Sequence, residues 1–132
     1  MNRLLAFLFV VLIFSACKKE EFDASNSNLK AINSLSEFDT EISSGVSMIF
    51  FHATWCSICK KQRPAVEATA LDASLSFVKF RQVDTDDQKD IVNKYNVPGQ
   101  PVIIMFKNGE ERKRLVGSGH SQAELTDYLK AL

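Results

Sequence analysis

An α/β domain built on a mixed sheet flanked by helices is what this sequence predicts, and three observations predict it. Apolar runs with strand character, Val46 to His52, Phe77 to Val83 and Val102 to Phe106, alternate with helical stretches. Asn108-Gly109 marks a two-residue hairpin turn into Glu111 to Val116. A capped helix follows, so the sheet acquires an antiparallel end.

The elements run in order. Leu29 to Ile32 reads as a short first strand. Ser34-Leu35-Ser36-Glu37 has the spacing of a capping box and opens a helix through about Ile42, which Gly45 ends. Val46 to His52 is apolar enough for a strand buried on both faces. A helix follows to about Ala73 with Pro64 inside it, where the ring removes a donor and crowds the preceding turn. After the strand Phe77 to Val83, Asp86 to Tyr95 reads as a helix. Ser121 and Glu124 cap the last helix, whose Leu125, Tyr128, Leu129 and Leu132 share one face.

The residues before this domain read differently. Arg3 gives a positive start, Leu4 to Phe14 is an apolar run, and Ser15-Ala16 supplies small residues before Cys17. That is the pattern of a secretory signal over residues 1–16. The run of 11 residues from Leu4 to Phe14 is too short to cross a hydrocarbon core, which needs about 20. Phe14-Ser15-Ala16-Cys17 resembles a bacterial lipobox, with Phe in place of the usual Leu or Val. The resemblance implies acylation of Cys17, a mature chain starting there, a membrane anchor, and a place in the cell envelope facing the periplasm. Residues 17–28 are polar and aperiodic, with little to bury, and read as a tether reaching roughly 20 Å. Lys19-Glu20-Glu21 resembles signals that carry some lipoproteins of Gram-negative bacteria to the cell surface. The folded domain is expected over 29–132.

Sixteen basic and 16 acidic residues balance, so no electrostatic footprint points to nucleic acid. Removing residues 1–16 takes away only Arg3 and leaves 15 basic against 16 acidic. Gly45, Gly99, Gly109, Gly117 and Gly119 form no phosphate-binding loop. The chain reads as a monomer.

Cysteine placement carries the chemistry. Of three cysteines, acylation would account for Cys17 and leave Cys56 and Cys59 as a pair, in a compartment where disulfides persist. Cys56 follows the strand and begins a helix, and Cys59 lies one turn deeper. The helix terminus favours a thiolate at Cys56. Lowering a thiol from about 8.5 to about 7 takes roughly 2 kcal/mol, whereas a helix end typically gives about 0.3–1. A further hydrogen bond, from the second thiol, is therefore expected.

Trp55-Cys56, Cys59-Lys60, Pro64, Pro101 before a buried strand, and Phe106-Lys107-Asn108-Gly109-Glu110 occur in one order across 29–132. On these residues the domain resembles the thioredoxins. The resemblance implies a thiol–disulfide oxidoreductase with no cofactor beyond the Cys56–Cys59 disulfide, acting on protein thiols and disulfides. Cys56 would attack a substrate disulfide and Cys59 would resolve the mixed disulfide. Pro101, rather than Pro98, would be cis and pack against the cysteines, with Gln100 offering backbone to an extended substrate and Trp55 an apolar contact. A tethered reductant of this kind would act on exported proteins and draw electrons from a membrane thiol donor.

The sequence departs from cytosolic thioredoxins at several points. Ser57-Ile58 replaces Gly-Pro between the cysteines. It brings no charge, which argues against the oxidising extreme near about −120 mV. Phe50 stands where the family buries an aspartate, and Phe80 where its lysine partner lies. His52, two residues after Phe50 and so on the same face, is expected to tune the thiolate or share proton transfer, with a structural role as the alternative. Two other readings stay open. One is a zinc or copper module using Cys56, Cys59 and His52, with His120 a possible fourth ligand. The other is a thioredoxin-like binding module whose disulfide is structural.

Overall fold

The computed structural model describes residues 21–132; the expected signal and Cys17 lie outside these. The strands are β1 (Lys30–Ala31), β2 (Val46–His52), β3 (Val78–Asp84), β4 (Val102–Lys107) and β5 (Glu110–Val116). The α-helices are α1 (Leu35–Ile42), α2 (Ser57–Ala70), α3 (Lys89–Lys94) and α4 (Gln122–Lys130). One sheet of order β1-β3-β2-β4-β5 forms the centre. β1, β3 and β2 are parallel, and β4 and β5 run antiparallel beyond β2. The sheet is mixed, with the antiparallel end at the hairpin.

β2 shows why both faces are covered. All seven of its residues are buried. Val46, Met48 and Phe50 belong to one apolar cluster with Cys56, Cys59, Val66, Leu125 and Leu129. Ile49 and Phe51 belong to a second, with Phe38, Ile42 and Ile91. Alternation along the strand thus sends successive side chains to opposite layers. α2 and α4 cover one face, and α1 and α3 the other.

The capping box at the start of α1 forms as the spacing predicts. The Glu37 N–H donates to Ser34 Oγ at 3.1 Å, and Glu37 Oε2 accepts from the Asn33 N–H at 2.9 Å. Three boundaries move. α2 stops at Ala70 rather than Ala73, because Asp72 caps a separate 3-10 turn over Ala73–Leu75 by accepting from the Ser74 N–H. α3 begins only at Lys89, since the Asp84 carboxylate accepts from the Asp86 and Asp87 N–H groups and holds them in the preceding turn. β1 is two residues long, while the flanking Leu29 and Ile32 enter the two apolar clusters.

The stretch expected as a tether is docked from Phe22 onward. The Phe22 N–H donates to the Thr54 carbonyl at 3.1 Å. A 3-10 turn at Ala24–Asn26 follows, capped by Asp23. Ser27 Oγ and the Asn28 N–H then both donate to the Glu67 carboxylate. An aromatic ring against a cation and two bonds to a carboxylate supply what average polarity hid.

β5 forms one edge of the sheet and carries Glu110, Glu111, Arg112, Lys113 and Arg114 in succession. The opposite edge is the short β1.

Candidate active site

The C-terminal end of β2 delivers the chain into the site. Ala53 to Trp55 form the link, and the Cys56 N–H donates to the Ala53 carbonyl at 3.1 Å, turning the chain into α2. Cys56 is the N-cap of α2, in extended conformation (φ −78°, ψ 107°). Its Sγ accepts from the Cys59 backbone N–H at 3.2 Å. A cap position is normally filled by Ser, Thr, Asp or Asn because an acceptor there satisfies a first-turn donor; here sulfur does so. The donor to this sulfur is the Cys59 backbone, whereas the bond expected from the sequence is one from the Cys59 thiol, whose sulfur is here bonded to Cys56. Cys56 and Cys59 are joined as a disulfide with Cα atoms 5.2 Å apart.

The rim around the disulfide is apolar and exposed. Trp55 and Ile58 are each about half exposed and Val116 more so. The Trp55 indole N–H donates to Asp86 Oδ2 at 2.6 Å, which fixes the ring. Ile58, Gln100, Pro101 and Val116 line a groove with a cavity of about 190 Å³. The Gln100–Pro101 peptide is cis. The Gln100 side chain accepts from the Thr85 hydroxyl at 3.1 Å, and the Pro101 carbonyl accepts from the Gly117 N–H at 2.9 Å. Both contacts tie the cis turn to its neighbours. Gln100 and Pro101 thus line one groove with Ile58, which stands between the two cysteines.

Below the disulfide the layer is apolar and cationic rather than acidic. Phe50, which pairs with Gln82 across β2 and β3, and Phe80, which pairs with Met48, are both core residues. His52 is 2% exposed and stacks on Phe50 at 5.9 Å, with Phe22 edge-on at 6.1 Å. Its Nδ1 has no hydrogen-bond partner. Burial, with Arg63 reinforcing it and Asp84 opposing it, pushes His52 down to about 4. The imidazole is therefore neutral at physiological pH.

Sequence reasoning missed Arg63, Glu67, Gln82 and Phe22. Arg63 is 7% exposed. Its Nη1 donates to Glu67 Oε1 at 3.0 Å and to Gln82 Oε1 at 3.1 Å, while its guanidinium carbon lies 3.6 Å from the Phe22 ring centre and 4.9 Å from that of Phe50. One signal was available. Cys59, Arg63, Val66 and Thr69 follow the helical period and form the buried face of α2. Gln62, beside them, exchanges two hydrogen bonds with the His120 backbone, 2.8 and 3.0 Å, and so fixes α2 to the turn before α4.

Three of the four proposed metal ligands are engaged otherwise. Cys56 and Cys59 are bonded to each other, and the His120 ring faces Glu124 at 3.2 Å. Among the described residues, no group of three or more His, Cys, Asp or Glu side chains is placed to hold a metal ion. Among them, too, no helix is long and apolar enough to cross a membrane.

Comparison with known proteins agrees with this geometry. The thioredoxin family model matches residues 30–131. A thioredoxin from Staphylococcus epidermidis is 38% identical over 82 residues, 62% of this chain and 78% of that protein. Thioredoxin-2 from Saccharomyces cerevisiae is 35% identical over 89 residues, 66% of this chain and 84% of its own. Among solved structures, Malassezia sympodialis thioredoxin superposes with a TM-score of 0.69 at 28% identity, covering 78% of this chain and 89% of its own. A disulfide at a helix N-cap, a cis proline sharing a groove with Ile58 between the cysteines, and a family match over residues 30–131 lead to one conclusion: this chain belongs to the thioredoxin family and carries its disulfide oxidoreductase site at Cys56 and Cys59.

Proposed function

We propose that the protein is a membrane-tethered reductant that works outside the cytoplasm, opening disulfides in exported proteins. The observation that carries the chemistry is the Cys56–Cys59 disulfide at the N-cap of α2. Cys56 leaves the dithiol as a thiolate and attacks one sulfur of a substrate disulfide. A Cys56–substrate disulfide forms and the other substrate sulfur departs as a thiolate. Cys59 then attacks Cys56 Sγ, closing the Cys56–Cys59 bond and releasing the second substrate thiolate. Two electrons pass to the substrate, and the pair must be re-reduced by an outside dithiol.

Location and direction rest on sequence. Arg3, the apolar run to Phe14 and the lipobox-like Phe14-Ser15-Ala16-Cys17 support export and acylation. A tether starting at Cys17 puts the domain within reach of a membrane donor of thiol electrons. The uncharged Ser57-Ile58 supports a reducing pair. The test is the equilibrium potential of the pair, titrated with reduced and oxidised glutathione in a Cys17→Ser chain. A value near about −270 mV is expected, and one above about −180 mV would make the protein an oxidase or isomerase instead.

A further inference from the structure

Arg63 is a cation buried beside a disulfide, in a layer that lacks the acidic residue expected there. Among the described residues no other lysine or arginine is buried. Burial draws the guanidinium below its ordinary value and Glu67 opposes this, but an arginine stays charged. Keeping a charge in such a place takes many partners. Glu67, Gln82 and Ser27 accept from one nitrogen, and two aromatic faces cover the plane. Nη2 still lacks a partner.

Its position relative to the cysteines gives the arrangement meaning. Arg63 follows Cys59 by one helical turn on the buried face of α2. Phe50, beneath the guanidinium, belongs to the same cluster as both cysteines. Cys59 is only 2% exposed, and burial in apolar surroundings keeps a thiol protonated. Resolution of the mixed disulfide needs that thiol as a thiolate. The neighbouring groups supply no ready base. His52 on β2 is a weak one, held down at about 4. Glu67 on α2 is taken by Arg63, and Asp84, at the end of β3 level with His52, accepts from the Asp86 and Asp87 N–H groups. Lys60 on α2 is exposed, and His120, before α4, is turned to Glu124.

We propose that Arg63 is a positioning residue for the second half-reaction: its buried positive charge stabilises the Cys59 thiolate, replacing the acid–base pair of cytosolic thioredoxins by a fixed field. The Cys59 proton then leaves to solvent rather than to a protein carboxylate. The thiolate attacks Cys56 Sγ, the Cys56–substrate bond breaks, and the substrate sulfur leaves with the electron pair and is protonated by water. This rests on the disulfide-exchange reading of the pair.

The experiment isolates Cys59 as the sole thiol in the full chain carrying Cys17→Ser and Cys56→Ser, and follows thiolate absorbance against pH. Adding Arg63→Met should raise the Cys59 pKa by about one unit, at the low end of the roughly 1–3 that a nearby opposite charge gives, since Glu67 offsets part of the field. Arg63→Lys should restore most of it, and Glu67→Gln should move the value down. In chains that keep Cys56, release of a Cys56-linked mixed disulfide should show a pH profile displaced by the same amount. Unchanged Cys59 titration in all three variants, or a change in thermal midpoint alone, overturns the proposal. Insulin reduction by the unaltered pair is the control. Failure there would sink the exchange reading itself, whereas turnover with an unmoved Cys59 would remove only the role of Arg63.

Discussion

The guanidinium carbon of Arg63 lies 3.6 Å from the centre of the Phe22 ring, so a residue upstream of the first strand forms part of the wall behind the catalytic pair. The same ring meets His52 edge-on, and the Phe22 N–H bonds to Thr54, two residues before Cys56. The segment that leads into the domain is thus built into the site.

Phe22→Ala removes a half-buried ring and a cation–π contact. A loss of about 1–2 kcal/mol is expected from these two effects, read as a lower urea midpoint. His52 should at the same time titrate closer to its ordinary value, because water gains access to its ring. A chain whose midpoint and His52 titration both stay put would show that the docked segment contributes nothing.

His52 makes stability depend on acid. Its folded value is about 4, against 6.5 for the free side chain. Between those values the unfolded chain takes up a proton that the folded chain refuses. Its contribution is complete above about pH 6.5 and drains away as pH falls towards 4, by about 3 kcal/mol as an order of magnitude. His52→Phe should flatten the stability curve in that window; a variant curve parallel to the parent would remove His52 as its source. At pH 7 the same substitution should leave the Cys56 pKa nearly unchanged, since a neutral ring replaces a neutral ring.

The two cysteines should separate kinetically. Cys56→Ser abolishes insulin reduction, leaving no attacking sulfur. Cys59→Ser lets the first step proceed and accumulates a covalent Cys56–substrate adduct, visible by mass and released by dithiothreitol. Adduct formation on Cys59 rather than Cys56 would reverse the assigned roles.

The proposed anchor predicts a fatty-acid label on the chain and recovery with membranes. Cys17→Ala should lose both while purified protein keeps its insulin reductase rate. Equal membrane recovery of the two forms would discard the acylation reading.

Legibility followed physics. β2 was readable end to end because seven successive residues are buried on two faces, and a continuous apolar run is what that requires. The Cys56–Cys59 spacing and Pro101 announced themselves because each is a rare residue with a fixed geometric use. α3 was overread because Asp86 and Asp87 look like helix N-terminal residues, while their N–H groups are claimed by Asp84, a local competition that periodicity does not register. Arg63 and Phe22 were missed for a related reason. An arginine in an amphipathic helix is ordinarily solvated, and a lone Phe among polar residues has no period. Each covers part of the other, a pairing that neither local pattern announces.

The ends of the sheet carry a consequence for how this protein meets other chains. A strand that adds to a neighbour needs a length of unpaired backbone, and β1 offers only two residues. β5 is long enough, but five charged residues in a row make it a poor template for another chain's strand. Both borders of the sheet are thereby guarded against stacking into fibres or swapping strands between copies. Under the proposed function an incoming polypeptide would instead line up along the short backbone run at Gln100–Pro101, in the groove that Ile58 and Val116 share with it.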